Sequence, residues 1–143
     1  MTSEPESDIV TIRSEHGVSE TMDRLSALLT AKGLCVFARI NHATAAAEAR
    51  LKLRPTEVLV FGHPEKGTFL MQERQIVGLD LPARALAWQD EAGRVWLSYR
   101  RIAAIASWHD LAGASYDAAK AIDENLEKFC AAAAGGKSTV SMT

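Results

Sequence analysis

The segment from Val58 to Pro82 constrains the fold of this chain more than any other part of the sequence. It begins with an apolar run that ends at Gly62, a loop containing Pro64 and Gly67 follows, and the segment closes on Leu-Asp-Leu-Pro. Glycine and proline at such points fix the backbone rather than fill space. We therefore predict a strand, a turn of defined geometry and a helix here, and we place the candidate functional site in the same segment.

Length and charge exclude several classes of protein. A chain of 143 residues is long enough to bury a core as one domain. Its formal net charge of -2 provides no broad positive field, which argues against non-specific nucleic-acid binding. No window approaches the roughly 20 apolar residues of a membrane span, and the first residues, MTSEPESD, are polar and acidic rather than signal-like. We expect a cytoplasmic protein with neither nucleic acid nor a membrane as its partner.

The two cysteines, Cys35 and Cys130, lie far apart in the sequence and form no CxxC pair or zinc framework. Free cysteine is one of the most buried residue types. We expect both to be small buried side chains in a reducing compartment, and a bond between them is the alternative.

Apolar periodicity and turn residues predict the order β-α-β-α-β-α-β-β-α-α. Strands are predicted at residues 9–13, 34–40, 57–61, 83–89 and 94–99, and helices at 19–32, 43–49, 68–74, 102–108 and 115–134. Helices between the early strands and a late hairpin indicate an α/β (α+β) two-layer sandwich, with helices packed on a mixed or antiparallel sheet of about five strands. A doubly wound fold fits less well, because no Gly-rich fingerprint follows the first strand.

Domain boundaries follow from the same pattern. Residues 9–134 are predicted to form a single globular domain, with disordered tails at 1–8 and 135–143. Within the domain, residues 34–40 are apolar at nearly every position except Arg39. Such a run predicts a central strand that is covered on both faces.

The loop from Gly62 to Gly67 has the glycine spacing of a phosphate loop, but the rest of that motif fails. Lys66 precedes the second glycine, Phe69 stands where Ser or Thr is required, and Pro64 removes an amide that would face phosphate. A milder hypothesis remains: backbone amides and Lys66 at a helix N-terminus hold a small anion or carboxylate. The alternative is a tight strand-to-helix turn with a structural role alone.

The four histidines, His16, His42, His63 and His109, form no HxH or HExxH pattern, so we predict no metal site. His42 and His63 each follow the end of a predicted strand closely. One hypothesis is that they meet at one edge of the sheet, and the alternative is that each caps local backbone groups.

Asp80 is the carboxylate with the most unusual surroundings, because it lies between two leucines. Burial would raise its pKa and suit acid–base chemistry, whereas the structural alternative is that it locks the turn before Pro82. Met71 and the tryptophans can line an apolar cavity, or they belong to the core or to a subunit interface. Bulk on both faces of the late hairpin, which carries Trp88 and Trp96, favours an interface.

Several sequence blocks resemble, in order, the bacterial and archaeal family called domain of unknown function 302 (DUF302). The resemblance covers about residues 9 to 110 and rests on residues 36–43 (VFARINHA) with Ala46, 53–57 (LRPTE), 61–64 (FGHP), 67–68 with 70–71, 79–82 (LDLP), the turn at Gly93, and Tyr99. It implies a compact α/β fold with a tendency to dimerise and brings no established activity.

The chain departs from the family pattern at three positions. Asn41 replaces the usual Asp before the histidine, Arg50 stands where Gly is common, and His63 stands where Asn is frequent. An amide at position 41 can orient an imidazole but cannot stabilise its cation. This change weakens any acid–base role that an Asp-His pair would have.

Our first functional hypothesis is a homodimeric small-molecule-binding module for an apolar or anionic ligand, without a cofactor or metal. The alternative is an enzyme that uses His42 or His63 with Asp80 as acid–base groups. An electron-transfer role has too few ligands to be pursued. The candidate ligand-binding residues are His42, Phe61, Gly62, His63, Lys66, Gly67, Met71 and Asp80.

Overall fold

A computed structural model describes residues 8–135 of the chain. Its elements are β1 (Ile9–Ser14), α1 (Val18–Ala31), β2 (Cys35–Asn41), α2 (His42–Glu48), β3 (Thr56–Gly62), α3 (Pro64–Glu73), a 3₁₀ helix (Gln75–Asp80), β4 (Ala83–Gln89), β5 (Val95–Arg100), α4 (Ile102–Trp108) and α5 (Ala114–Ala134). The strands form one sheet in the order β1-β5-β4-β3-β2, and every neighbouring pair is antiparallel. The predicted α/β two-layer class is confirmed, with an antiparallel rather than a mixed sheet.

Strict alternation along the central strands separates the two faces of the sheet. On β3, Leu59 and Phe61 are buried whereas Val58 and Val60 on the opposite face are only partly buried. The buried face packs against α1 and α5, whose apolar stripes include the buried residues Leu25 and Leu126. The core therefore lies on one side of the sheet, and the other side is open among residues 8–135.

β2 is an edge strand, so the prediction of a central strand covered on both faces was wrong. Its apolar residues Phe37 and Ile40 are 55% and 44% exposed, and a β-bulge between Val36 and Ala38 shifts the pairing with β3. A continuous apolar run does not distinguish a doubly covered strand from an edge strand with an exposed apolar face.

The loop after β3 is shorter than predicted, because α3 begins at Pro64 rather than at Thr68. Proline suits the first helical position, where its fixed φ is already helical and no backbone N–H is needed. At the end of α1 the predicted glycine cap is confirmed: Gly33 has φ +85°, and the N–H of Leu34 donates to the carbonyl of Leu29 at 3.0 Å.

The predicted tails lie outside the described residues, apart from Asp8 and Gly135, which are hydrogen-bonded. The carbonyl of Asp8 accepts the N–H of Arg101 at 2.8 Å, and the N–H of Gly135 donates to Ala131 at 3.0 Å. The cysteines differ from expectation, since Cys35 is exposed and only Cys130 is buried; neither forms a disulfide.

The C-terminal end of α5 is held by α1. Arg24 donates from Nε to the carbonyl of Ala133 at 2.8 Å and from Nη2 to the carbonyls of Ala132 at 2.9 Å and Gly135 at 2.8 Å. The last turn of α5 contains no basic residue of its own. Arg24 therefore supplies both the missing donors and a positive charge at the negative end of the helix.

At the opposite end of the sheet from the β3–α3 turn, Arg39 compensates a buried carboxylate. Its Nε donates to Oε1 of Glu57 at 2.8 Å, and its Nη1 donates to Oδ1 of the exposed Asp23 at 2.6 Å. Glu57 is 7% exposed. Burial alone would lower the pKa of Arg39, but the hydrogen bonds to Asp23 and Glu57 outweigh it and hold that pKa above its ordinary value.

Replacing Arg39 by methionine is expected to lower the free energy of unfolding by about 1–3 kcal/mol, because it leaves the Glu57 carboxylate buried without a cation. Urea denaturation measures the change. Asp23→Asn is the matched control: it removes only the exposed partner and should cost less than about 1 kcal/mol. Equal losses in the two variants would show that burial of Glu57 is not the cause.

Candidate functional site

A cavity of about 930 Å³ lies where β3 ends and β4 begins, beneath α5 and beside the start of α3. The inner wall is apolar, and four of its side chains, Phe61, Leu70, Leu126 and Phe129, are at most 7% exposed. Cavities of this size and polarity are typical of sites for small molecules. The strand-loop-helix segment that the sequence singled out therefore forms one side of a real cavity.

Six of the predicted site residues line this cavity, and the other two do not. The six are Phe61, Gly62, His63, Lys66, Gly67 and Met71. They come together because the last inward side chain of β3 is Phe61, and the chain then turns directly into the first turns of α3.

His42 lies at the opposite end of the sheet. β2 runs from Cys35, which pairs with Gly62, to Asn41, which pairs with Glu57, so the residue after Asn41 is a full strand length from the cavity. The hypothesis that His42 meets His63 at one sheet edge was therefore wrong. Neighbouring antiparallel strands run in opposite directions, so their C-terminal ends lie at opposite ends of the sheet.

Asn41 has a local structural role instead. Its side-chain Oδ1 accepts the N–H of Thr44 at 2.9 Å and so caps the N-terminus of α2. Asparagine is as good as aspartate in this position. The departure from the family pattern at residue 41 is therefore compatible with helix capping, and His42 is simply the exposed first residue of that helix.

Asp80 pairs with His109, with 2.7 Å between Oδ2 and Nε2. Neither residue lines the cavity, and among residues 8–135 no hydrogen bond or ion pair joins Asp80 to His42 or His63. The groups of the acid–base hypothesis are thus not assembled in one cleft, which such chemistry requires.

His63 is the polar side chain of the cavity wall with unused capacity. It occupies the N-cap position of α3 but makes no side-chain capping bond. Its Nδ1 is buried and has no partner, and within the described part of the chain it is the one such side-chain nitrogen or oxygen. Buried polar atoms are normally hydrogen-bonded, so this nitrogen has an unmet hydrogen-bonding capacity.

Other reactive groups are buried away from the cavity. Burial raises the pKa of Tyr99 to about 12 and that of the Cys130 thiol to about 12, so both are neutral near pH 7. Neither lines the cavity. Across residues 8–135, no three His, Cys, Asp or Glu side chains are grouped to hold a metal ion.

Sequence reasoning missed the contributions of α1 and α5 to the cavity. Lys32 follows α1 directly, and Lys128 lies on α5 beside Phe129. The apolar spacing of residues 115–134 predicts that Leu126 and Phe129 face the core and that Lys128 faces solvent. It does not show that part of the apolar face borders a cavity, and no local signal places Lys128 on the same cavity as Lys66.

Comparison with known proteins identifies relatives of this fold. The family model described as domain of unknown function DUF302 matches residues 10–133. The crystal structure of an uncharacterized conserved DUF302 protein from Bacillus stearothermophilus has a TM-score of 0.80, with 20% sequence identity, and the match covers 90% of this chain and 98% of that chain. At this identity the likeness shows the fold alone.

Longer proteins also contain a similar region. The chain is 46% identical over 117 residues to the fluoride-specific ion channel FluC 1 of Brucella suis biovar 1 (strain 1330), a match that covers 82% of this chain and 46% of that protein. The FluC 1 protein of Brucella abortus biovar 1 (strain 9-941) gives the same identity, with 43% of its length covered. The chain therefore spans less than half the length of these curated relatives. Residues 8–135 contain no helix with the length and apolar character that crossing a bilayer requires.

Substitution of Gly78 tests the tight wall of the cavity. A Cβ at Gly78 would lie 2.9 Å from Sδ of Met71, and both residues line the cavity. We expect Gly78→Ala to displace the flexible thioether and to cost about 1 kcal/mol of stability, at the low end for overpacking. In the Met71→Ala background the same change should cost much less, as a urea-denaturation double-mutant cycle would measure. Equal costs in both backgrounds would contradict the contact.

Proposed function

The chain belongs to the DUF302 family, and from this premise we propose that it is a binding module that receives a small, partly apolar or anionic molecule in the cavity. The observation that carries the proposal is the cavity itself: about 930 Å³, with buried apolar walls and a few polar groups, among them His63, at its edge. This combination is typical of sites that bind small molecules.

A binding role is favoured over catalysis by the arrangement of titratable groups. Asp80 is engaged with His109, whereas His63 faces the cavity without a carboxylate among the lining residues. General acid–base chemistry needs two groups of suitable pKa within reach of one substrate. The module is proposed to act in the cytoplasm, where its unpaired cysteines would stay reduced.

We also propose that the module is a homodimer that pairs through the open face of its sheet. The apolar side chains Val58, Leu86 and Trp88 lie on that face and are only partly buried, and the Trp88 and Trp96 rings lie 6.3 Å apart. Exposed apolar patches of this kind mark interaction surfaces, and a two-fold dimer is the commonest way for such a surface to be covered.

Native mass spectrometry of freshly purified protein tests both proposals. We expect a dimer, with added mass from a retained small molecule on each subunit. Leu86→Glu, at the centre of the open face, should give a folded monomer because two charges would be buried against each other. Leu53→Glu is the matched control, since Leu53 is 49% exposed and lies outside the sheet. A native dimer in both variants would place the interface elsewhere, and a wild-type monomer would refute the dimer.

A second proposal concerns larger proteins. Relatives named as fluoride channels are 46% identical to this chain over less than half their own length, and the described residues here contain no helix with the length and apolar character to cross a bilayer. We propose that the shared region is an accessory binding domain and that the remainder of those proteins carries the ion pathway.

Deletion of the shared region from the Brucella suis channel tests this division. Fluoride flux into reconstituted vesicles should persist without the matched residues, because the pathway must be formed by segments that can span the bilayer. The full-length protein, reconstituted at the same density, is the control. Loss of flux by a remainder that still inserts and remains folded would contradict the proposal.

A further inference from the structure

The charge distribution around the cavity differs from that of the whole chain. Lys32, Lys66 and Lys128 line the cavity, and no Asp or Glu does. The chain as a whole carries 18 acidic and 16 basic residues, with a net charge of -2. Acidic side chains are thus available in the protein but are missing from this wall.

The three lysines are also unpaired. None of them takes part in an ion pair among residues 8–135, whereas Lys120 and Arg39 both do. All three are exposed residues that line the cavity, so they border it on the side that meets solvent. Long side chains of this kind can follow a bound group while their stems pack on apolar surface.

Two neutral features of the α3 start add to this positive region. Beyond Pro64, which has no N–H, the first-turn amides of α3 have no intrahelical acceptor, and the positive end of the helix dipole lies there beside the negative charge of Glu65. His63, which precedes α3, has a buried Nδ1 without a partner. A free first-turn N–H can donate to a bound oxygen atom and offers nothing to a bound cation, whereas Nδ1 of His63 donates or accepts according to its tautomer.

The remainder of the cavity suits an apolar body. Phe61, Leu70 and Leu126 are each at most 2% exposed, and all of them line it. A fully polar anion would leave this apolar surface uncovered. An alkyl ligand would cover it, and each CH₂ group that it buries would contribute about 0.8 kcal/mol to binding. A molecule with one apolar and one anionic part would contact both the apolar wall and the lysine side chains.

We infer that the ligand is an amphipathic anion: an alkyl or aryl body that lies against Phe61 and Leu126, and a carboxylate or phosphate head group held among Lys32, Lys66 and Lys128. The inference rests on the proposed binding function and specifies its ligand class. A cationic amphiphile is repelled at the mouth, and a neutral one gains only the apolar contacts.

Four probes with ten carbon atoms each test the inference on the full-length protein: decanoate, decyl phosphate, decanol and decylammonium. Isothermal titration calorimetry at low salt gives each affinity. Because several ammonium groups surround one anion, we expect decanoate or decyl phosphate to bind at least about tenfold more tightly than decanol. Decylammonium is expected to bind most weakly. Added salt should weaken binding of the anions but not of decanol.

Charge-neutral variants then locate the head group. K32Q/K66Q/K128Q should lower the affinity for the anions to that for decanol and leave decanol binding unchanged. K52Q/R94Q/K120Q removes the same charge from exposed residues that do not line the cavity, and it should leave every affinity unchanged. Circular dichroism shows that each variant is folded.

The outcomes separate this inference from the proposed function. If no probe binds, both fail. If decanol binds as tightly as the anions, and the triple lysine variant changes neither, the cavity is a binding site but the anionic class is wrong. Selective loss of anion binding in the triple lysine variant alone supports the inference.

Discussion

The central strand β4 presents only methyl groups to the helices, and the rest of the fold depends on this. Ala83, Ala85 and Ala87 are its buried side chains, whereas the bulk of the core comes from α1 and from the neighbouring strands. Small side chains on the strand let large ones on the facing helices fill the space between the layers. α1 ends at Ala31, and the next residue, Lys32, lines the cavity together with Ala83. The cavity lies at this end of the strand and is lined by Ala83 together with side chains of α3 and α5.

The two ends of the sheet differ in whether their charged side chains form ion pairs. At the Glu57 end a buried carboxylate is matched by Arg39, which is itself shared with Asp23. At the cavity end, charged side chains border an apolar wall without carboxylates to match them. An ion pair formed within the chain contributes to the stability of the fold. Charged side chains without such a partner beside a cavity can interact with a ligand of opposite charge and so give specificity. This contrast supports the proposal that the cavity end of the sheet binds a ligand, whereas the Glu57 end has a structural role.

Most of the fold was predictable from the sequence, and much of the cavity was not. Alternation and capping residues predicted each strand and each α-helix of the described residues to within a few residues, because these signals are local. The 3₁₀ helix at Gln75–Asp80 was not predicted. The edge position of β2 was missed, since apolar residues at Phe37 and Ile40 look the same on an edge strand as in a core. The pairing of Asp80 with His109 and the position of Lys66 and Lys128 on one cavity depend on packing between distant elements. No spacing in the sequence encodes such contacts.

The hydrogen bonds from Arg24 fix the position of the end of α5, and this affects how the domain can be joined to others. The N–H of Glu15 donates to the carbonyl of Ala134, so α5 ends beside the C-terminal end of β1, while Asp8 lies at the other end of that strand. At about 3.4 Å per residue, β1 separates the two points by roughly 20 Å. A segment fused before residue 8 and one fused after residue 135 would therefore leave the domain at opposite ends of the same edge strand. Neither attachment point borders the cavity, so a larger protein can carry this module with its cavity accessible.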